Sequence, residues 1–199
     1  MIDLLLTHSG ATPAPPGGGG TGDPAIPGYS TAMPTAATYG ARVFHAGAGQ
    51  PYASIVAAKT AAVAARAGLP GSARSLIVVH PGDYDETVAI GPYVDLAGAT
   101  ANPADVHIHN ANLNGGSPIW ASGPTFIGGV TVRLDPVPEG QTRQGTGIYD
   151  GFHLSNQAMS LVLEKCVMGS AGADFAGFGR AYFIECAFLA PGQMNLHGW

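Results

Sequence analysis

Charge is scarce in this chain of 199 residues: Asp, Glu, Lys and Arg together make up 11%, against roughly 25% in average soluble proteins. Basic side chains are scarcer still, with 8 Lys and Arg against 13 Asp and Glu and a net charge of −5. No basic face is available to neutralise phosphates, so nucleic acid is excluded as an expected partner. Cysteine is nearly missing. Cys166 and Cys186 fit neither a disulfide-dense scaffold nor a paired-cysteine zinc site, which needs closer spacing or more ligands. Long apolar runs are missing as well. Met1 to His8 has no basic n-region and too short an apolar run for a signal peptide, and no later segment reaches about 18 unbroken apolar residues. Membrane insertion is not expected, nor is any cofactor.

What the chain does have is glycine, 30 residues of it, with alanine used as heavily and an ordinary apolar fraction. The length allows one domain with a real core plus a tail. Residues 1–40 form the tail. Pro13-Ala14-Pro15-Pro16-Gly17-Gly18-Gly19-Gly20 and its surroundings follow neither the helical nor the strand period, which marks an extended Gly/Pro-rich arm or linker. Such an arm either stays disordered or orders against a neighbouring subunit, with Leu4 to Leu6 as its anchor. In segment 41–73, Tyr52 to Gly68 is alanine-rich, with Ile55, Ala58, Ala62 and Ala65 on one side, Gly68 as a stop and Pro70 beyond. That pattern predicts one helix, over about 53 to 67.

Residues 74–199 change in character. Ser75 to His80, Thr87 to Ile90, Val94 to Leu96 and Val106 to His109 are short runs of β-forming residues punctuated by Gly, Pro or Asn, which predicts strands. Val162 to Met168 aligns with Tyr182 to Phe188 at a constant offset (186 − 166 = 20 between the cysteines), and Phe126 to Val132 has a similar shape. A period near 20 residues is that of a solenoid coil. The expected fold is therefore all-β, a right-handed parallel β-helix whose N-terminal end is capped by the helix. Cys166 stacked over Cys186 reads as an internal ladder of small buried side chains. After Leu189 the remaining residues offer no cap, so a partner subunit or further chain is expected to cover the C-terminal end.

From about residue 52 to 190 the sequence resembles the pectin methylesterases, carbohydrate esterases of right-handed β-helix fold within the pectin lyase-like group. Ser54 to Ala65 followed by Ile77 to Glu86 is similar to their first helix and Gly-x-Tyr-x-Glu turn, matched by Gly82, Tyr84 and Glu86. Asp174-Phe175-Ala176-Gly177-Phe178-Gly179 and the strand after it are similar, with one inserted residue, to the family's Asp-Phe-x-Phe-Gly motif. The resemblance implies an aspartate nucleophile, a second aspartate as acid/base, glutamines at the oxyanion and a late arginine. Ester cleavage needs such a set because a carboxylate attacks poorly unless oriented, and the oxyanion needs donors already in place. Asp174 occupies the nucleophile-like position. The segment Gly151-Phe152-His153-Leu154 stands where the family has Gln-Asp-Thr-Leu, no Gln-Ala-Val occurs, and Leu196-His197-Gly198-Trp199 lacks the arginine. The expected chain is thus a noncatalytic relative.

Three other patterns carry some chemistry. His107 and His109 share one face of a strand, opposite Val106 and Ile108, and could ligate a metal, six nitrogens being offered by three copies on a threefold axis. The plainer reading, two polar residues facing solvent, is favoured because no further ligand is near in sequence. Asp83, Asp85 and Glu86 could mean calcium or glycosidase chemistry, but a solvated turn is preferred. The loop 135–147, the longest interruption, is a possible binding surface, though an inert loop is the favoured reading.

Taken together these features describe a structural virion protein on the general plan of phage tail spikes, a bacteriophage tail or tail-fibre component. Its arm and C-terminal end would meet other tail subunits, a homotrimer is the natural assembly, and Tyr149 and Phe152 could touch host surface polysaccharide. The competing class is an active esterase or depolymerase, which would be extracellular.

Overall fold

In the computed structural model, residues 5–6, 39–70, 73–110, 118–121, 125–135, 139, 152–154, 160–169, 172–176, 180–188 and 193–197 are described. Most of the expected arm and of the 135–147 loop lies outside them, as does Tyr149. Strands dominate: β1 (Leu5–Leu6), β2 (Val43–Ala46), β3 (Ser75–Val79), β4 (Gly82–Asp85), β5 (Val88–Ile90), β6 (Val94–Gly98), β7 (Val106–Asn110), β8 (Ile119–Ala121) and β9 (Thr125–Gly128). They continue as β10 (Thr131–Leu134), β11 (Phe152–Leu154), β12 (Ser160–Glu164), β13 (Val167–Gly169), β14 (Gly172–Ala176), β15 (Arg180–Ile184), β16 (Ala187–Phe188) and β17 (Gln193–His197). Gly82 to Asp85, expected as a turn, is a strand because it is hydrogen-bonded in register to β7.

Among the described residues all the strand pairs are parallel, and from β3 onward strands pair with those three places on, except that β11 and β14 fall in separate sheets. The largest sheet runs β1-β15-β12-β9-β6-β3-β2, a second runs β16-β13-β10-β7-β4, and two smaller ones are β11-β8-β5 and β14-β17. The sheet takes in Val43–Ala46, inside the segment assigned to the helix region. The step between partners is not constant. Ser75 pairs with Val94 (94 − 75 = 19) and Val162 with Tyr182 (182 − 162 = 20), but Leu96 pairs with Ile127 (127 − 96 = 31) and Phe126 with Val162 (162 − 126 = 36). In this sheet the period near 20 therefore holds from β3 to β6 and from β12 to β15, and not at the steps between them. Pairing fixes the strands and leaves the connections free to lengthen, so insertions leave the ladder intact.

Alternation along each strand builds the core. Ile77, Leu96, Ile127, Leu163 and Phe183 stack in one register column, and Tyr84, Ile108, Val132 and Met168 in another; all are buried. Full burial of such a side chain contributes about 1.5–3 kcal/mol. Cys166 is buried and Cys186 partly so, both reduced, with Sγ atoms 3.5 and 3.4 Å from the carbonyls of Ile127 and Leu163. Burial pushes the Cys166 thiol well above its ordinary value, as befits an inert internal side chain.

Helix α1 (Ile55–Ala64) is shorter than expected. It buries Ile55, Ala58 and Ala62 against β2, β3 and β5, while Ala65 is exposed. The difference has a local cause: Ala65 is already the C-cap, and the chain leaves through Gly68 at φ +78°. Among the described residues, no helix is long and apolar enough to cross a membrane.

The two ends of the large sheet differ. At the first, β2 and α1 cover β3. At the other, Leu5 and Leu6 lie beside Tyr182 and Phe183 of the same chain, so the arm's anchor takes an intramolecular seat on that edge.

Two backbone features lead to predictions. Gly98 lies so close to the next layer that a Cβ there would stand 2.2 Å from the Gly129 carbonyl oxygen. Gly98→Ala is expected to destabilise the fold by at least about 2 kcal/mol through this overlap, read from urea midpoints. Glu164 is raised in pKa by burial, which outweighs the nearby Lys165 and is helped by Glu185. A carboxyl raised by folding adds stability below its unfolded pKa that is lost as pH rises through the folded one. Glu164→Gln is therefore expected to flatten the decline of Tm with rising pH above the ordinary glutamate range.

Candidate functional site

The residues of the Gly-x-Tyr-x-Glu resemblance support the fold. Tyr84 is buried and its hydroxyl donates to the His80 carbonyl at 2.6 Å. Burial and the neighbouring Glu86 raise its pKa. Glu86 reaches across to the start of α1, where its carboxylate accepts from the Ile55 and Val56 amides at 3.1 and 2.9 Å. Ser54 accepts from the Ala57 amide at 3.1 Å. A helix begins with amides that have no partner inside it and a partial positive charge. Here a carboxylate 30 residues away supplies what α1's own first turn, which has no acidic residue, lacks.

The polar side chains that do gather lie on the outward face of the second sheet. In β7, Val106, Ile108 and Asn110 turn inward and are buried, which leaves His107 and His109 on the other face. In β4, Tyr84 turns inward and leaves Asp83 and Asp85 outside. The register sets Asp83 beside His107 and Asp85 beside His109. Asp135 follows β10, and its amide donates to the Asn110 carbonyl at 3.1 Å.

His109 is the centre of the group. Its Nδ1 is 2.9 Å from Asp135 Oδ2 and its Nε2 is 3.3 Å from Asp83 Oδ1, while His107 Nδ1 is 3.7 Å from the same Asp83 oxygen. His109 and Asp135 are largely shielded, at 13% and 23% side-chain exposure, and Asp83 is open to solvent. A neutral imidazole donates from one nitrogen only. Of the two carboxylates flanking His109, the neutral ring can donate to just one.

The histidines and the acidic run are separate features of the sequence; the structure places Asp83 and Asp85 on one surface with His107 and His109 and sends Glu86 to α1. Asp135, expected only as the start of a loop, was missed as a member. The signal was present in the offset between β4 and β7 (107 − 83 = 24), which sets one pair beside the other once the strands are known to stack. A second imidazole pair lies at the start of the large sheet, with His45 Nδ1 2.9 Å from His80 Nε2.

The remaining candidates are placed by backbone alone. Asp174 lies in β14, in register with Asn195. Phe152 lies in β11 beside Ile119, which pairs in turn with Val88; both of these partners are buried, so Phe152 shares the register of a core column. No family model matches the chain, and no curated protein or solved structure matches it.

Removal of the remote cap provides a test of the role given to Glu86. Glu86→Ala is expected to cost about 1–2 kcal/mol, the usual range for a helix cap strengthened by charge. Glu86→Gln, which retains one acceptor, should cost less. Chemical denaturation of both variants, with helical signal as one probe, is the measurement.

Proposed function

We propose that the chain is a right-handed parallel β-helix and a structural component of a virion, a bacteriophage tail or tail-fibre protein whose β-helix is noncatalytic and meets host surface glycans. The β-helix is supported by the three-strand step between parallel partners, which recurs from β3 to β17 and is interrupted only between β11 and β14 among the described residues. Right-handedness rests on the strong preference of parallel crossovers for that hand. The observation that carries the noncatalytic reading is the place of Phe152, which stands where the resemblance would need the acid/base aspartate and shares the register of a core column, while Tyr84 and Glu86 serve to fix the fold. On this reading the pectin methylesterase-like pattern is a shared way of starting a β-helix. Fold alone does not bring chemistry with it.

Low charge and parallel edges favour assembly. Among the described residues no strand follows β16 or β17 in its sheet, and a homotrimer would cover such edges. A second reading, an active carbohydrate esterase or depolymerase, draws on the carboxylates and imidazoles gathered outside β4 and β7.

Two measurements on the full chain separate these readings. Solution mass should correspond to three copies, and antibody labelling should place the chain on the particle's tail. Incubation with methyl-esterified polysaccharide should release neither methanol nor reducing sugar. Turnover that disappears in Asp174→Ala would overturn the structural reading.

A further inference from the structure

Asp85, His109 and Asp135 each offer one donor atom, and the three atoms lie within 4.8 Å of one another. The geometry points to a site for one divalent transition-metal ion of the zinc class, held by His109 Nδ1 and the carboxylates of Asp85 and Asp135, with Asp83 orienting the imidazole from its far side.

The spacing is that of donors around an ion. Two ligands each about 2.1 Å from a tetrahedral ion stand about 3.4 Å apart. His109 Nδ1 and Asp135 Oδ2 are 2.9 Å apart, so an ion can replace the proton between them once the two groups part by about half an ångström. Asp85 is exposed and free to close the remaining distance from its fixed place in β4. A second observation points the same way. A metal-bound imidazole commonly donates its other N–H to a carboxylate, which holds the ring in place and raises its basicity. Asp83 Oδ1 stands 3.3 Å from Nε2, within a small side-chain rotation of that role.

Charge and donor type narrow the ion. Asp83, Asp85 and Asp135 gather around His107 and His109, and Arg133, in register with His109, is exposed. A cation would relieve the repulsion among the carboxylates. An imidazole beside carboxylates suits zinc or a neighbouring transition metal; magnesium and calcium prefer oxygen alone. The donors come from β4, β7 and the residue after β10, three neighbouring strands of one sheet. The ion would therefore tie these strands together on their outward face.

The test uses the full chain, stripped with chelator and titrated with zinc chloride by calorimetry and thermal unfolding. One equivalent is expected to bind and to raise Tm by several degrees, and magnesium chloride is expected to do neither. His109→Gln and Asp135→Asn should each weaken zinc binding by at least tenfold and abolish the rise in Tm, and Asp83→Asn should weaken it by about tenfold. His80→Gln, at the other imidazole pair, should leave both readouts unchanged. Absence of saturable binding, binding indifferent to His109→Gln and Asp135→Asn, or binding lost in His80→Gln would overturn the assignment. Should the His109 or Asp135 variants fail to fold, cobalt substitution in the unaltered chain decides. Nitrogen and oxygen coordination gives no sulfur-to-cobalt charge-transfer band, whereas such a band would move the ion to Cys166 and Cys186 and refute the site.

Discussion

A strand paired in parallel with one three places earlier must repeat its partner's alternation. A slip of one residue would turn every apolar side chain outward. This constraint runs through the whole of the large sheet, where Ile77, Leu96, Ile127, Leu163 and Phe183 keep one column despite steps that range from 19 to 36 residues (94 − 75 and 162 − 126). Connections between strands are under no such constraint. They lengthen wherever the next strand can still be reached.

Alternation forbids a one-residue slip but tolerates a slip of two, and a buried polar group closes that gap. Asp95 is fully buried on the side of the sheet away from the core column. Its carboxylate accepts from Nε and Nη2 along one edge of the Arg74 guanidinium, from the Tyr39 hydroxyl at 2.7 Å and from the Phe126 amide at 2.8 Å. Burial, with the carboxylate alongside, pushes the Tyr39 hydroxyl far above its ordinary pKa, which keeps it a donor. These partners come from β9, from the residue just before β3 and from the chain just before β2. A two-residue shift of β6 would strand the carboxylate without them, at a cost of about 3–5 kcal/mol. The network adds little net stability beyond an apolar equivalent, but it selects one register.

Much of this was legible in the sequence and some was not, for physical reasons. The helix, the short strands and the stacking of Cys166 near Cys186 follow from local alternation, capping and a short-range repeat. The steps from β6 to β9 and from β9 to β12 were hidden because their insertions break the period while leaving the pairing intact. Asp95 reads locally as a polar residue in a short strand, and nothing within a few residues announces that Arg74 and Tyr39 will meet it. The grouping of Asp83, His109 and Asp135 was hidden for the same reason. Each belongs to a group assembled across strands, where sequence distance carries no information until the register is known.

The two faces exposed by this register have different prospects. On the large sheet, Leu76, Asp95 and Phe126 lie outside the core column yet are buried, with Tyr39 bound among them. That face is occupied by the chain itself. On the second sheet, the outward positions of β4 and β7 carry Asp83, Asp85, His107 and His109, open or partly open to solvent. Rigid strands hold these side chains at fixed spacing, and the pairing that buries Tyr84 and Ile108 is the same pairing that brings them together. The placement of the cluster therefore costs no ordering beyond what the core already demands. Of the surfaces described, this one is best prepared to bind something other than the chain itself.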